Sequence, residues 1–408
     1  MREGVLASMQ FRPEKQKELA MLPVPQLVDA LLQQALQERA SDIHIEPATQ
    51  GVRVRFRVDG MLREKEQLPL ELQAAVISRI KLLSALDIAE KRLPQDGRWR
   101  VKDEKRDIDV RVSTLPVQGG EKAVLRILPF RGMQRNIETL GFSKVALQRY
   151  QLLYKKPQGI VLVCGPTGSG KTTTLYATLA ELNRPESNLV SIEDPVEMQL
   201  AGMNQVQVNT KAGLTFATAL RAILRQDPNI IMVGEIRDAE TADAAVRAAM
   251  TGHLVFSTLH TNDAAGAIVR LLDLGVPPFL VATSLLGVVA QRLVRLVCPK
   301  CRQAYRPAED TAEQMLLKDA PEGNRSFVKG CGCDACGQTG YRGRQAIYEV
   351  MPLTSRLRQL IQERAAAYEI EAMARQEGMH TMSEDGVAKA GAGLTSLAEV
   401  VRVVADMA

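Results

Sequence analysis

Gly159–Leu175 reads GIVLVCGPTGSGKTTTL, and the rest of the chain is best understood from it. Ile160 to Cys164 is a short apolar run of the kind a strand buried on both faces requires. Gly165-Pro166-Thr167-Gly168-Ser169-Gly170 follows, and its glycines admit backbone angles that let N–H groups converge on an anion. Lys171 supplies a point charge for the outer phosphates of ATP, and Thr172, followed by Thr173, a hydroxyl suited to Mg²⁺. From Thr172 the pattern turns helical, with Leu175, Leu179 and Leu182 on one face. The positive end of that helix dipole is expected to point at the phosphates. Strand, loop, Lys-Thr and helix in this order read as a nucleotide-binding P-loop, against a Gly-rich turn that matches by accident.

Length and composition set wide bounds. The 408 residues suit two or three domains at about 150 residues each. A formal net charge of +5 marks no nucleic-acid binder, and 4% aromatic residues offer no stacking platform for single strands. The amino terminus, MREGVLASMQFRPEK, has no apolar signal core, so secretion is not expected. The longest apolar stretch, near 280–290, falls far short of the ~18 residues of a spanning helix. No direct membrane insertion is expected. Six cysteines, four of them in two CxxC pairs, suit a metal site in a reducing cytoplasm better than disulfides.

Upstream of the P-loop, residues 1–22 lack periodicity and read as an arm or linker. Leu27, Val28, Leu31, Leu32, Ala35 and Leu36 then form one helical face. Ser41–Pro47 reads as a strand, and GVRVRFRVDG from Gly51 alternates strictly. Its outward row Arg53, Arg55 and Arg57 is either a solvated face or a meeting point for a phosphate- or carboxylate-bearing partner. A helix is predicted over 70–90, including Ile88, and three strand-like pieces follow. Residues 23–130 thus form an α+β domain, residues 131–139 a linker, and residues 140–408 an α/β domain with a parallel sheet. An insertion over 297–345 interrupts the second domain, and helices rich in Arg, Glu and Ala end it.

The predicted strands 188–193, 230–233 and 254–259 each carry polar residues at the carboxyl end, the edge where open α/β sheets place ligand chemistry. Glu193 and Asp194 end the first, where a carboxylate would orient a water beside a γ-phosphate. Gly234 and Glu235 end the second, where an Asp usually serves the Mg²⁺ shell. That departure leaves the division of labour between Glu193 and Glu235 open. The preferred assignment gives water positioning to Glu193 and the metal shell to Glu235. His260 emerges near the phosphates as a γ-phosphate sensor or a plain loop cap, while His44 and His380 read as structural. Cys298, Cys301, Cys333 and Cys336 match a tetrahedral structural Zn²⁺ site, with redox use of one CxxC as the rival. Cys331 is an extra thiol that could compete for the metal, and Cys164 belongs to the core.

Taken together, GPTGSGKTTT, SIEDPVE, VGEIRDAETA, TGHLVFSTLHTND, CPKC/CDAC and GYRGRQAIYEVMPL resemble the GspE/PulE/PilB group of secretion ATPases. ASDIHIEP, RFRVDGMLRE, RLPQDGR and VRVSTLP resemble the same group in the amino domain, so the likeness runs over about residues 22–408. The resemblance implies a PAS-like amino domain, a RecA-like carboxyl domain, and a homohexameric ring in the cytoplasm that works through inner-membrane platform proteins. It implies an ATPase using ATP, Mg²⁺ and Zn²⁺ to drive type II secretion or type IV pilus assembly. It puts Gly165 to Thr173 in the Walker A motif, Glu193 and Asp194 in the aspartate box, Gly234 and Glu235 in the Walker B motif, and His253 and His260 in the histidine box. Arg98 and Arg111 match arginines that reach the nucleotide from the amino domain. Such proteins usually carry a longer amino-terminal extension that docks on an inner-membrane partner, which leaves the docking route of this chain open. The alternatives are a retraction motor, which lacks the zinc module, a nucleic-acid translocase on the same core, and a nucleotide-sensing scaffold.

Overall fold

The computed structural model describes residues 3–5, 21–103, 106–129, 136–318 and 326–405, with residues 3–5, 102–103, 106–107, 128–129 and 318 described by backbone alone. These fall into two units, Met1–Met133 and Gln134–Ala408. Most of the arm read over 1–22 and part of the linker read over 131–139 lie outside the described residues.

The first unit runs β1 (Glu3–Val5), α1 (Val24–Gln37), β2 (Ala40–Ala48), β3 (Gly51–Val58), β4 (Met61–Leu68), α2 (Gln73–Leu83), β5 (Gln95–Asp103), β6 (Arg106–Val117) and β7 (Gly120–Pro129). The strands form one sheet in the order β1-β5-β6-β7-β2-β3-β4, antiparallel except for the β1–β5 pair. Alternation puts Val52, Val54, Phe56 and Val58 inward, where they pack with Trp99, Val110, Leu27 and Leu31. The outward arginines are matched within the sheet. Arg55 and Arg53 reach Glu46 at 2.8 and 3.5 Å, and Arg57 reaches Asp42 at 3.7 Å. The row is therefore an internally paired face.

The helix predicted over 70–90 is shorter. One 3₁₀ turn, Leu70–Leu72, leads into α2, which stops at Leu83. Ala85 takes φ +57°, and the Leu86 N–H returns to the Lys81 carbonyl at 2.9 Å, a helix-ending bond pattern. The chain then folds back beneath Gly97, where a Cβ would stand 2.6 Å from the Ser84 carbonyl oxygen. Ile88 is left in the loop at 40% exposure.

The second unit runs α3 (Lys144–Tyr154), β8 (Gly159–Cys164), α4 (Lys171–Leu182), β9 (Leu189–Glu193), β10 (Met203–Gln207), α5 (Phe216–Ile223), β11 (Ile230–Val233), α6 (Ala239–Met250), β12 (Leu254–Leu259), α7 (Ala264–Asp273) and α8 (Pro278–Ser284). It continues with β13 (Leu285–Val297), β14 (Arg302–Tyr305), α9 (Ala312–Lys318), β15 (Phe327–Gly330), β16 (Tyr341–Pro352), α10 (Ser355–Gln362), α11 (Ala367–Gln376), α12 (Met382–Gly391) and α13 (Leu397–Val404). The main sheet has the order β10-β9-β11-β12-β8-β13-β16 and is parallel apart from the last pair. Every residue of β8, β9, β11 and β12 is buried, as befits strands covered by helices on both faces. From β8 the chain crosses to one side of that strand, and β13 later pairs on the other. The loop after β8 therefore opens at the point where strand order reverses, the usual ligand position of such sheets. Among the described residues no helix is long and apolar enough to cross a membrane. The stretch read as the longest apolar run proves to be the end of α8 and the start of β13.

Candidate active site

The loop Gly165–Gly170 is shaped by glycine at three positive φ values, +143° at Gly165, +81° at Gly168 and +92° at Gly170. A Cβ on Gly165 would lie 2.4 Å from the Gln291 carbonyl oxygen, so the loop can pass this point only without a side chain. Gly170 caps α4, and the first turn of that helix begins with Lys171. The Lys171 ammonium donates to the carbonyls of Gly165 at 2.6 Å and Pro166 at 3.0 Å. Its burial lowers its pKa. The Ser169 hydroxyl is buried with no hydrogen-bond partner among the described residues. Thr172 and Thr173 are exposed at the same helix end. Helix N–H groups, a lysine and hydroxyls make a donor set that fits a polyphosphate and its Mg²⁺.

Strand register brings the predicted acids to the same edge. Leu259 pairs with Cys164, Val233 with Ser257, and Val233 with Ile192, so β8, β12, β11 and β9 end nearly level. Beyond those ends Gly234 is fastened on both sides. Its N–H donates to the Ile192 carbonyl at 2.8 Å and its carbonyl accepts from the Thr258 hydroxyl at 2.7 Å.

The two glutamates differ sharply in surroundings. Glu193 is 3% exposed and accepts from Ser191 Oγ at 2.5 Å, from Gln205 Nε2 at 3.1 Å and from the Tyr176 hydroxyl. Burial and the neighbouring Glu193 push the Tyr176 hydroxyl pKa up, which keeps it a neutral donor. Glu235 is less enclosed. Its carboxylate meets Arg237 Nε at 2.6 Å and His260 Nε2 at 3.5 Å, and Lys171 feels its charge. The preferred sequence assignment, Glu193 as the water-positioning acid, therefore meets a physical obstacle. Its oxygens are already engaged by three neutral donors inside the fold.

The histidines separate. His260 follows β12 at the phosphate edge, and burial, then the Lys171 charge, lower its pKa. His253 precedes β12, with Nδ1 2.8 Å from the Ala248 carbonyl at the end of α6, so it closes the opposite edge of the sheet. His380 is exposed, and His44 lies in β2 with its pKa lowered by burial. Cys164 is fully buried, its thiol donating to the Asp263 carbonyl at 3.3 Å. Sequence reasoning passed over Tyr176, Ser191, Gln205 and Gln291. Only the polar Gln291-Arg292 interruption of an apolar run left a local signal.

In the first unit Arg98 pairs in register with Arg111, and Arg111 with Arg126. These arginines, with Asp96 and Ser113, line a cavity of about 490 Å³. Arg126 also meets Asp42 at 3.0 Å.

The thiol sulfurs of Cys298, Cys301, Cys333 and Cys336 all lie within 4.8 Å of one another. Three of the distances are 3.9, 3.9 and 3.8 Å. A zinc ion about 2.3 Å from each of four sulfurs requires tetrahedral edges of about 3.8 Å, so the quartet fits that ion. Backbone N–H groups of Cys333 and Gly340 point at the Cys336 sulfur at 3.3 and 3.2 Å, favouring thiolate. Cys331 stays outside the quartet, exposed, with its thiol on the Cys301 carbonyl.

Residues 17–402 match the family described as Type II/IV secretion system protein. The chain is 49% identical over 384 residues to the type II secretion system protein E of Pseudomonas aeruginosa, covering 94% of this chain and 76% of that one. It is equally 49% identical to the type IV pilus assembly ATPase PilB of Thermus thermophilus, covering 94% of this chain and 43% of that one. The solved structure of the pilus retraction motor PilT with bound ADP is similar at TM-score 0.61 and 27% identity, covering 91% of this chain and 95% of that one. The ATPase DotB of Legionella pneumophila shares the fold at TM-score 0.69 and 22% identity. With a match spanning both units and a nucleotide site built as above, the chain is a nucleotide- and Mg²⁺-using ATPase of the Type II/IV secretion system protein family.

Proposed function

We propose that the chain is a motor that spends ATP on assembling a pseudopilus or type IV pilus, working as a homohexameric ring against inner-membrane platform proteins from the cytoplasmic side. The observation that carries this reading is the convergence of Lys171, Glu235 and His260 at one sheet edge beside the glycine loop. High identity to a secretion ATPase and to a pilus assembly ATPase supports the assembly direction over retraction.

Bound Mg²⁺ would neutralise charge on the transferring phosphoryl group, and zinc would brace the cysteine insertion. The protein groups divide the remaining work. The P-loop N–H groups and Lys171 cradle the phosphates, and Thr172 offers its hydroxyl to the Mg²⁺ side. Glu235 positions the attacking water, in place of Glu193, which instead holds the end of β9 through Tyr176 and Gln205. His260, kept neutral, stands beside Glu235 and senses the γ-phosphate. Arg98 and Arg111 supply positive charge to the transition state from the amino domain, a contribution worth roughly 10³–10⁵ in rate when an arginine acts this way.

Phosphate release by the Arg98→Ala and Arg111→Ala chains tests the coupling of the two domains. Turnover should fall by at least about 10²-fold with the thermal midpoint nearly unchanged. Near-normal turnover would make these arginines surface charges only. Complementation of separate secretion and pilus assembly knockouts then tells which system the motor serves.

A further inference from the structure

Strand β13 carries a polar pair, Gln291-Arg292, inside an apolar run, and both side chains are buried, at 1% and 6% exposure. Successive strand residues face opposite sides of the sheet. Val289 and Leu293 pack with Leu175 and Tyr176 of α4, while Val288, Ala290 and Val294 pack with Ile268 of α7 and Val403 of α13. Gln291 therefore reaches under the P-loop, and Arg292 reaches toward the loop after β12.

The hydrogen bonds follow that division. Gln291 Nε2 donates to the Ser169 carbonyl at 2.8 Å, and its Oε1 accepts from the Thr174 hydroxyl at 2.8 Å. Arg292 Nη2 donates to Asn262 Oδ1 at 3.0 Å, and Nη1 to the Val403 carbonyl at 2.9 Å. Asn262 lies two residues after His260, just before Asp263, whose carboxylate caps α7. Val403 belongs to α13, which Glu399 ties to Arg295 of β13 at 2.6 Å.

We propose that Gln291 and Arg292 are positioning residues for ATP turnover. Gln291 holds the P-loop in shape from beneath. Arg292 fastens the His260 loop to α13, so that packing of the last helix sets where His260 stands. The proposal rests on the ATPase reading of the site. An amide that donates at one end and accepts at the other is an oriented strut. A leucine would fill its volume yet leave the Ser169 carbonyl and the Thr174 hydroxyl unpaired. The guanidinium spans two partners with separate nitrogens, which a lysine ammonium on one flexible stem does not reproduce.

Neither residue stands at the reacting phosphates, so their substitutions should split binding from turnover. In the full chain, Gln291→Leu is expected to weaken a fluorescent ATP analogue by at least about tenfold, whereas Arg292→Gln keeps its affinity within about twofold and lowers kcat by at least about tenfold. Arg292→Lys should recover part of that loss. The Arg292→Gln/Asn262→Ala double variant should turn over no more slowly than Arg292→Gln, because both break one link. Should Gln291→Leu fail to fold, Gln291→Glu carries the same test, keeping the acceptor for Thr174 and removing the donor facing Ser169. Normal analogue binding by the Gln291 variants, or losses that multiply in the double variant, would overturn the proposal. Those failures leave wild-type turnover intact. A wild-type chain that binds no analogue would overturn the ATPase reading and this proposal together.

Discussion

Glu235 Oε2 and His260 Nε2 stand 3.5 Å apart just beyond the ends of two adjacent parallel strands, β11 and β12. Arg237 Nε meets the same oxygen at 2.6 Å. Glu235 thus sits between an imidazole and an exposed guanidinium, with its own side chain 12% exposed. By contrast, Glu193 is enclosed by Tyr176, Ser191 and Gln205.

The two glutamates should therefore respond differently to the same change. Glu235→Gln is expected to retain nucleotide binding and lose about 10²–10⁴ in kcat, the usual weight of a positioned acid or base. Glu193→Gln should keep turnover within about tenfold while costing about 1–3 kcal/mol of stability, since an amide cannot accept from all three donors as the carboxylate does. Steady-state phosphate release and thermal unfolding of both variants check this. A dead Glu193→Gln beside an active Glu235→Gln would reverse the assignment.

The difference in surroundings between the two glutamates was not legible in the sequence, because it is set by partners on other elements. Gln205 and Tyr176 reach Glu193 from a different strand and from the P-loop helix. The P-loop itself was legible, since strand, glycines, Lys171 and helix are local and contiguous. The early end of α2 was hidden because Ala85 leaves the helical region without a glycine or proline to signal it. The grouping of Cys298, Cys301, Cys333 and Cys336 was readable from spacing, but the position of Cys331 outside it needed the fold. Gln291 and Arg292 act through contacts more than 100 residues away for one and 30 to 111 for the other, so no window around them could assign their roles.

Burial and the Lys171 charge hold the pKa of His260 below its ordinary 6.5. Its neutral form is thus favoured, and protonation requires more acid than usual. Turnover should be level between pH 7 and 8 and decline only on the acid side of 6.5. His260→Gln should remove that acid limb while lowering the plateau. A rise in rate from pH 7 to 8 that disappears in His260→Gln would contradict a depressed pKa.

The cysteine quartet should bind close to one zinc per chain, measured by elemental analysis of the purified protein. Structural zinc contributes an apparent 10–16 kcal/mol in isolated fingers, roughly, and that energy is folding energy. Cys301→Ser and Cys336→Ser should each lose the metal and expose the segment around β14 and β15 to protease, whereas Cys331→Ser should keep both metal and resistance. A metal-free chain with a protease-resistant insertion would refute the site.

The amino unit should be acid-sensitive through Glu46. Burial opposes ionisation there, but hydrogen bonds from Arg55 and Lys122 outweigh it and hold the carboxyl down at about 2, against 4.5 ordinarily. A depressed folded pKa contributes stability that is present above pH 4.5 and lost as the pH falls toward 2. Trp99, the single tryptophan of the chain, is buried in this unit, so its emission reports unfolding here. The midpoint followed by Trp99 should drop between pH 5 and 3 in the wild type. Glu46→Gln should start lower at pH 7 and show a shallower drop. An unchanged acid slope would place the sensitivity elsewhere.

The central claim is that the glycine loop and Lys171 bind the phosphates of a nucleotide that this chain hydrolyses. Phosphate release by the full chain, with Mg·ATP as substrate and Lys171→Ala as the paired control, tests it most directly. Mg²⁺-dependent turnover that falls by at least about 10²-fold in Lys171→Ala is the predicted result, given the stabilisation a cation lends to a transferring phosphoryl group. Equal turnover by wild type and Lys171→Ala, or no Mg²⁺ dependence in the wild type, would contradict it.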